Sequence, residues 1–261
     1  MHTLPEAAGL YFEQHGRSDA PPLILSSGMG GSASYWTPNI PALAEHFRVI
    51  AYDHRGAGRS DRAITPRIES IGDDILVLMN ALNIDRVSII GHAIGGMGGL
   101  TLALGSPERL ERLIVVNGWG MPNAYTSRCF EARLALLRSV GIRAYVRAQP
   151  IFLYPPDWIA EGEIDLDVGE DEHVADFAAE MVEQRVGEAL HFDLRNRSNV
   201  LKVPTMFLGS YDDGLVPFSS SEWLRSYFPD SRLGIMEWGG HACNVTDPAT
   251  FNRLVLEFLR S

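Results

Sequence analysis

The stretch Gly91-His92-Ala93-Ile94-Gly95-Gly96 constrains this chain more than any other. It follows the strand-like run Arg86 to Ile90 and opens a Gly- and Leu-rich segment of helical character. A strand that turns sharply into a helix is one unit of a parallel sheet, because a crossover must carry the chain back before the next strand begins. In the G-x-S-x-G form of such a turn, a serine is raised onto the strained corner as a nucleophile. Here the corner residue is Ala93. A methyl group cannot attack a carbonyl, so any chemistry must be built around the turn without it.

The rest of the chain repeats the strand–helix pattern. Strand candidates are 9–14, 22–27, 47–52, 86–91, 112–117, 203–209 and 232–237. The middle five are mostly short apolar runs, as expected of strands buried on both faces. Helical candidates are 68–82, 94–104, 219–227 and 248–259. The fold class implied is α/β, a mostly parallel central sheet with helices on both faces. Between Met121 and Val200 the alternation stops. There Phe130, Leu134, Leu137, Gly141 and Tyr145 recur at helical spacing, as do Val174, Phe177, Met181 and Val182. Residues 121–199 therefore read as a helical cap, inserted into a core made of 1–120 and 200–261.

Composition narrows the partners. With 261 residues, 46% of them hydrophobic, the chain can bury one sizeable core. It has no apolar run of membrane-spanning length, and Met1 to Glu6 lacks the basic-then-apolar pattern of a signal peptide. Two cysteines, Cys129 and Cys243, are too few for a disulfide framework, so a cytoplasmic setting is expected. The net charge of −11 argues against nucleic acid and anionic membranes and leaves a small molecule as the expected partner. No oligomeric state is specified. The acidic run from Glu161 to Glu172 lacks metal-loop spacing and reads as a solvated loop, so neither metal nor cofactor is expected.

Three further motifs converge on the elbow. The strand candidate 203–209 runs into Ser210-Tyr211-Asp212-Asp213-Gly214, where an acid would stand. Asp213 is favoured by its distance from Val216-Pro217, while Asp212 fits when counted from Gly209. Trp238-Gly239-Gly240-His241-Ala242 follows the last strand candidate, so the order elbow, acid, histidine is that of a catalytic triad. Ser26-Ser27-Gly28-Met29-Gly30-Gly31 could bring backbone close to a ligand, with the amides of Met29 and Ile94 forming an oxyanion hole. Asp53 to Ser60 has a G-x-G look but no third glycine, and reads as a structural turn. His92 reads as packing.

Together, in this order, these motifs resemble the α/β-hydrolase superfamily over almost the whole chain. The strings Asn117-Gly118-Trp119, Arg128-Cys129-Phe130, 148–158 and 239–248 are similar to the RutD family of the Rut pathway of pyrimidine utilisation. The resemblance implies that alanine at the elbow is native. It also implies a cytoplasmic enzyme of uracil catabolism that assists hydrolysis of carbamate, or of aminoacrylate, with release of ammonia. On that view His241 and Asp213 supply acid–base chemistry, Met29 and Ile94 the oxyanion hole, and Gly28, Arg128 and Arg133 contact an anionic substrate. A solvated helix face is the plainer account of the two arginines. The alternatives are a serine esterase or amidase inactivated at Ala93, and a pseudohydrolase that binds a ligand without turning it over.

Overall fold

Short apolar runs become neighbouring strands here because each has two faces to bury. The computed structural model describes residues 6–62, 67–162, 171, 174 and 177–261. Most of the acidic run considered above (Glu163, Asp165, Asp167, Glu170, Glu172) lies outside the described residues, as does the segment Met1 to Pro5. The strands are β1 (Glu6–Ala7), β2 (Leu10–His15), β3 (Pro22–Ser26), β4 (Arg48–Tyr52), β5 (Val87–His92), β6 (Leu110–Val116), β7 (Thr205–Ser210) and β8 (Arg232–Met236). They form one sheet in the order β1-β2-β4-β3-β5-β6-β7-β8. The pairs β1–β2 and β2–β4 are antiparallel, and all the others are parallel.

Period-two alternation sends Ile24, Ile50, Ile89, Leu113 and Phe207 to one face, and Leu25, Val49, Ile90, Ile114 and Leu208 to the other. Each face carries its own core. Helices α2 (Ile68–Ala81) and α3 (Ile94–Gly105) cover the first face through Ile75 and Met97, while Trp36 and Phe251 close the second. Burying a side chain of this size contributes about 1.5–3 kcal/mol, so the two cores dominate the stability. The short helix α1 (Ile40–Ala44) lies on the second face.

Between β6 and β7 lie helices α4 (Ala124–Ser139), α5 (Ile142–Leu153), α6 (Pro156–Glu161) and α7 (Ala179–His191). The apolar stripe from Phe130 to Tyr145 is not one helix, as its spacing suggested. Gly141 adopts φ +112°, a conformation only glycine takes freely, so the stripe is split between α4 and α5. Of the second stripe, Met181 and Val182 stand on α7, whereas Phe177 precedes it. After β7 come α8 (Ser219–Tyr227), α9 (Cys243–Thr246) and α10 (Pro248–Leu259). Asp247 caps the last of these, accepting the Thr250 amide at 3.1 Å with Pro248 in the first turn. Helices α1 and α9 and strand β1 escaped the sequence analysis, because a helix of four or five residues barely completes one turn and a strand of two shows no alternation. Among the described residues no helix is long and apolar enough to cross a membrane.

The chain leaves β3 for β4 on one side and returns to β5 on the other. That reversal opens a crevice beyond the carboxyl ends of β3 and β5, where α/β folds place their ligands. Both the Ser26–Gly31 loop and the Gly91–Gly96 turn start at this crevice. The Asp53–Ser60 turn beside it is held by Asp53, whose buried carboxylate accepts the Ala33 amide at 2.8 Å and the Arg59 amide at 3.0 Å.

Candidate active site

Ala93 occupies the corner between β5 and α3 at φ +48° and ψ −119°. Its amide donates to the Val116 carbonyl at 2.8 Å, and its carbonyl accepts the Met97 amide at 3.0 Å. A non-glycine residue held there carries roughly 1–3 kcal/mol of strain. Relief of that strain should outweigh the added flexibility of the unfolded chain in Ala93→Gly. We expect Ala93→Gly to raise the unfolding free energy by about 0.5 kcal/mol, whereas Ala103→Gly inside α3 lowers it by about 1 kcal/mol. Urea denaturation of the two variants checks the opposite signs.

His241 follows β8 through two glycines in left-handed conformations and is 3% exposed. Its Nδ1 lies 2.8 Å from Asp213 Oδ2. A carboxylate can only accept here, so Nδ1 carries the proton and the Nε2 lone pair is left to accept one. The other oxygen of Asp213 accepts the Leu215 and Val216 amides, each at 2.8 Å, which locks the carboxylate plane. Asp212 has different partners. It accepts the Gly239 amide at 3.1 Å, the Gly240 amide at 2.9 Å and the Ser210 hydroxyl at 2.7 Å, so it folds the loop that carries the histidine.

Two residues hold the backbone of His241. Asn117 Nδ2 donates to its carbonyl at 2.7 Å, and His92 Nε2 donates to the same oxygen at 2.8 Å. Asn117 sits just past β6 at φ +49°, where asparagine is one of the few tolerated residues. Burial, and then the neighbouring His241, push His92 well below the usual histidine range, so it stays a neutral donor. Its ring meets the His241 ring edge-on at 4.6 Å. His92 therefore does more than pack. Neither cysteine substitutes for the missing serine, since burial pushes the Cys243 thiol up to about 12 and raises that of Cys129.

The Ser26–Gly31 loop lies directly against the elbow. A Cβ on Gly28 would stand 2.7 Å from His92 Nδ1 and 3.6 Å from Ala93 Cβ, so the approach requires glycine. The Gly31 amide donates to the Gly28 carbonyl at 3.0 Å and closes the turn. Among the described residues, the amides of Met29 and Ile94 have no internal acceptor. That is the state an oxyanion hole requires before a ligand arrives.

The helices after β6 add two buried cations. Arg133 on α4 is 3% exposed, donates to the Tyr145 hydroxyl at 2.9 Å and faces the rings of Tyr145, Phe152 and Phe130 at 5.1, 5.6 and 5.9 Å. Among the described residues its Nε has no acceptor. Arg128, five residues earlier, is exposed, so the structure does not bring the two arginines together. Arg185 on α7 is also 3% exposed and was not singled out by the sequence. It donates to the Met29 carbonyl at 2.8 Å and to the Arg55 carbonyl at 2.9 Å. Nothing in the composition of α7 marks one arginine among several polar residues as buried. For Asn117 a signal existed, an asparagine placed between a strand end and Gly118.

A family model described as the alpha/beta hydrolase fold matches residues 21–141. A Caulobacter protein named "Putative carbamate hydrolase RutD" is 46% identical over 256 residues, covering 96% of each chain. One of the same name from Agrobacterium fabrum is 40% identical over 255 residues, covering 96% of this chain and 98% of its own. The chain belongs to the RutD family. The family's fold recurs in a solved hydrolase from Pseudomonas aeruginosa, 27% identical with a TM-score of 0.86, which covers 97% of this chain and 94% of its own. It recurs also in the enol-lactonase from Burkholderia xenovorans, 26% identical with a TM-score of 0.87 and 98% of each chain covered. The sheet and helices described above are thus an α/β-hydrolase fold.

Proposed function

We propose that this member of the RutD family assists the breakdown of carbamate, or of aminoacrylate, in pyrimidine catabolism, releasing ammonia by acid–base chemistry without an enzyme nucleophile. The observation that carries this reading is the aligned Asp213–His241 pair, 2.8 Å apart, beside a corner occupied by Ala93. Carbamate breaks down when its nitrogen takes a proton and the C–N bond opens, leaving ammonia and carbon dioxide. Aminoacrylate takes a proton on carbon to give an imine, which water attacks with loss of ammonia. Both need a placed proton and neither needs a covalent enzyme intermediate. General acid–base assistance of this kind is worth about 10²–10⁴-fold.

In this proposal His241 Nε2 shuttles the proton, and the Met29 and Ile94 amides receive a substrate oxygen beside Gly28. Residues 121–199 act as a cap that limits water access. Arg133 supplies the cation that an anionic substrate needs in a protein of net charge −11, while Arg128 is left to solvent. A hydrogen bond to a charged group contributes about 1.5–3 kcal/mol. Arg133→Met should therefore raise KM by about 10–100-fold with a smaller change in kcat.

The direct test measures ammonia release over time from freshly generated aminoacrylate and from carbamate, with and without the protein. Acceleration of one of them identifies the substrate. Acceleration of neither overturns the proposal and leaves a binding protein.

A further inference from the structure

We infer that Arg185 is a positioning residue, fixing from the inserted helix α7 the loop that presents the Met29 amide to the crevice. The inference rests on the oxyanion role proposed for that amide only for its effect on rate. Three of the four residues from Gly28 to Gly31 are glycines, which have the most conformational freedom to lose on ordering. The loop has two anchors at its far end, the Gly31 amide on the Gly28 carbonyl and the Gly31 carbonyl accepting the His54 amide at 2.8 Å. Between them Met29 is held through its carbonyl, and the holder is Arg185 Nη1.

The guanidinium is suited to this work. Its planar fork holds two carbonyls at once, Met29 in the loop after β3 and Arg55 in the loop after β4, so the two loops are kept in a fixed relation. The backbone is shaped around it. Gly31 has φ +71°, and a Cβ there would lie 2.7 Å from Arg185 Nη1 and 2.9 Å from Ala57 Cβ. No carboxylate among the described residues pairs with Arg185, and its Nε has no acceptor. Asp74, itself paired with Arg55, acts on Arg185 only through space, and burying a cation without a directly paired carboxylate is expensive, so packing α7 onto the core does not by itself account for it. Desolvation pulls this guanidinium down to about 10, which still leaves it charged at neutral pH.

The test compares Arg185→Met and Arg185→Lys with wild type by amide hydrogen exchange and steady-state kinetics. Arg138→Met serves as a control, because it removes an exposed α4–α7 ion pair with Glu183 and leaves the loop untouched. We expect the hydrogen-bonded amides of Gly31 and Ala33 to exchange about tenfold faster in Arg185→Met, with β3 and α3 unchanged. Lysine reaches one carbonyl only and should fall in between. Removing a whole oxyanion donor costs about 10²–10³-fold in kcat, so a loosened one should cost about 10–100-fold with KM within threefold. Unchanged loop exchange, or an increase shared equally by β3 and α3, overturns the inference, and the lysine variant decides if the methionine variant fails to fold. Should wild type accelerate neither substrate, the functional proposal falls while the exchange data still decide the role of Arg185.

Discussion

His241→Ala is expected to lower the rate of ammonia release by about 10²–10⁴-fold, the usual worth of a positioned acid–base group. The substitution removes the ring that Asp213 addresses at 2.8 Å. It spares the backbone carbonyl that receives Asn117 at 2.7 Å and His92 at 2.8 Å, so the loop should keep its course. The fold bears a smaller penalty, because Asp213 Oδ2 loses its buried partner, at about 1–3 kcal/mol. Initial rates on both candidate substrates, with a thermal melt to confirm folding, check the expectation. Wild-type rates on both in the alanine variant would show that the proton comes from elsewhere.

Asp213→Asn should be about as damaging, near 10⁴-fold, although the side chains have almost the same shape. The Leu215 and Val216 amides both donate to Oδ1 at 2.8 Å, so the oxygen of an asparagine must stay on that side. Its Nδ2 is thereby turned toward His241 Nδ1, and a donor meets a donor. The ring answers by moving its proton to Nε2, where it can no longer accept one. Asp212→Asn acts differently, since the Gly239 and Gly240 amides, at 3.1 and 2.9 Å, also compete for its oxygens. It should loosen the loop and shift stability more than the tautomer. A kcat for Asp213→Asn within tenfold of wild type would separate the pair from the chemistry.

The order of elements was legible because it depends on local properties. Apolar runs of five to seven residues named the strands, and β7 and β8 were found within two residues of their ends. Ser219–Tyr227 and Pro248–Leu259 were found at their observed bounds, since amphipathic spacing and the Asp247-Pro248 start are local signals. The split between α4 and α5 was missed. Apolar spacing ran on across Gly141, and the stripe outweighed the backbone freedom of one residue.

In the candidate site the division is sharper. The elbow, the acid–histidine order and the glycine loop are chain-order features, and a single sequence contains them. The choice between Asp212 and Asp213 depends on which carboxylate a turn of a few residues points at a ring 28 positions away. One residue of slip exchanges their roles. Arg133 and Arg185 look alike in sequence to Arg128 and Arg138, and only burial separates them. Residue type and spacing by themselves determined a mostly parallel α/β core with an alanine at its strained corner. Tertiary packing alone decided which charges leave water, because desolvation depends on what every other element covers.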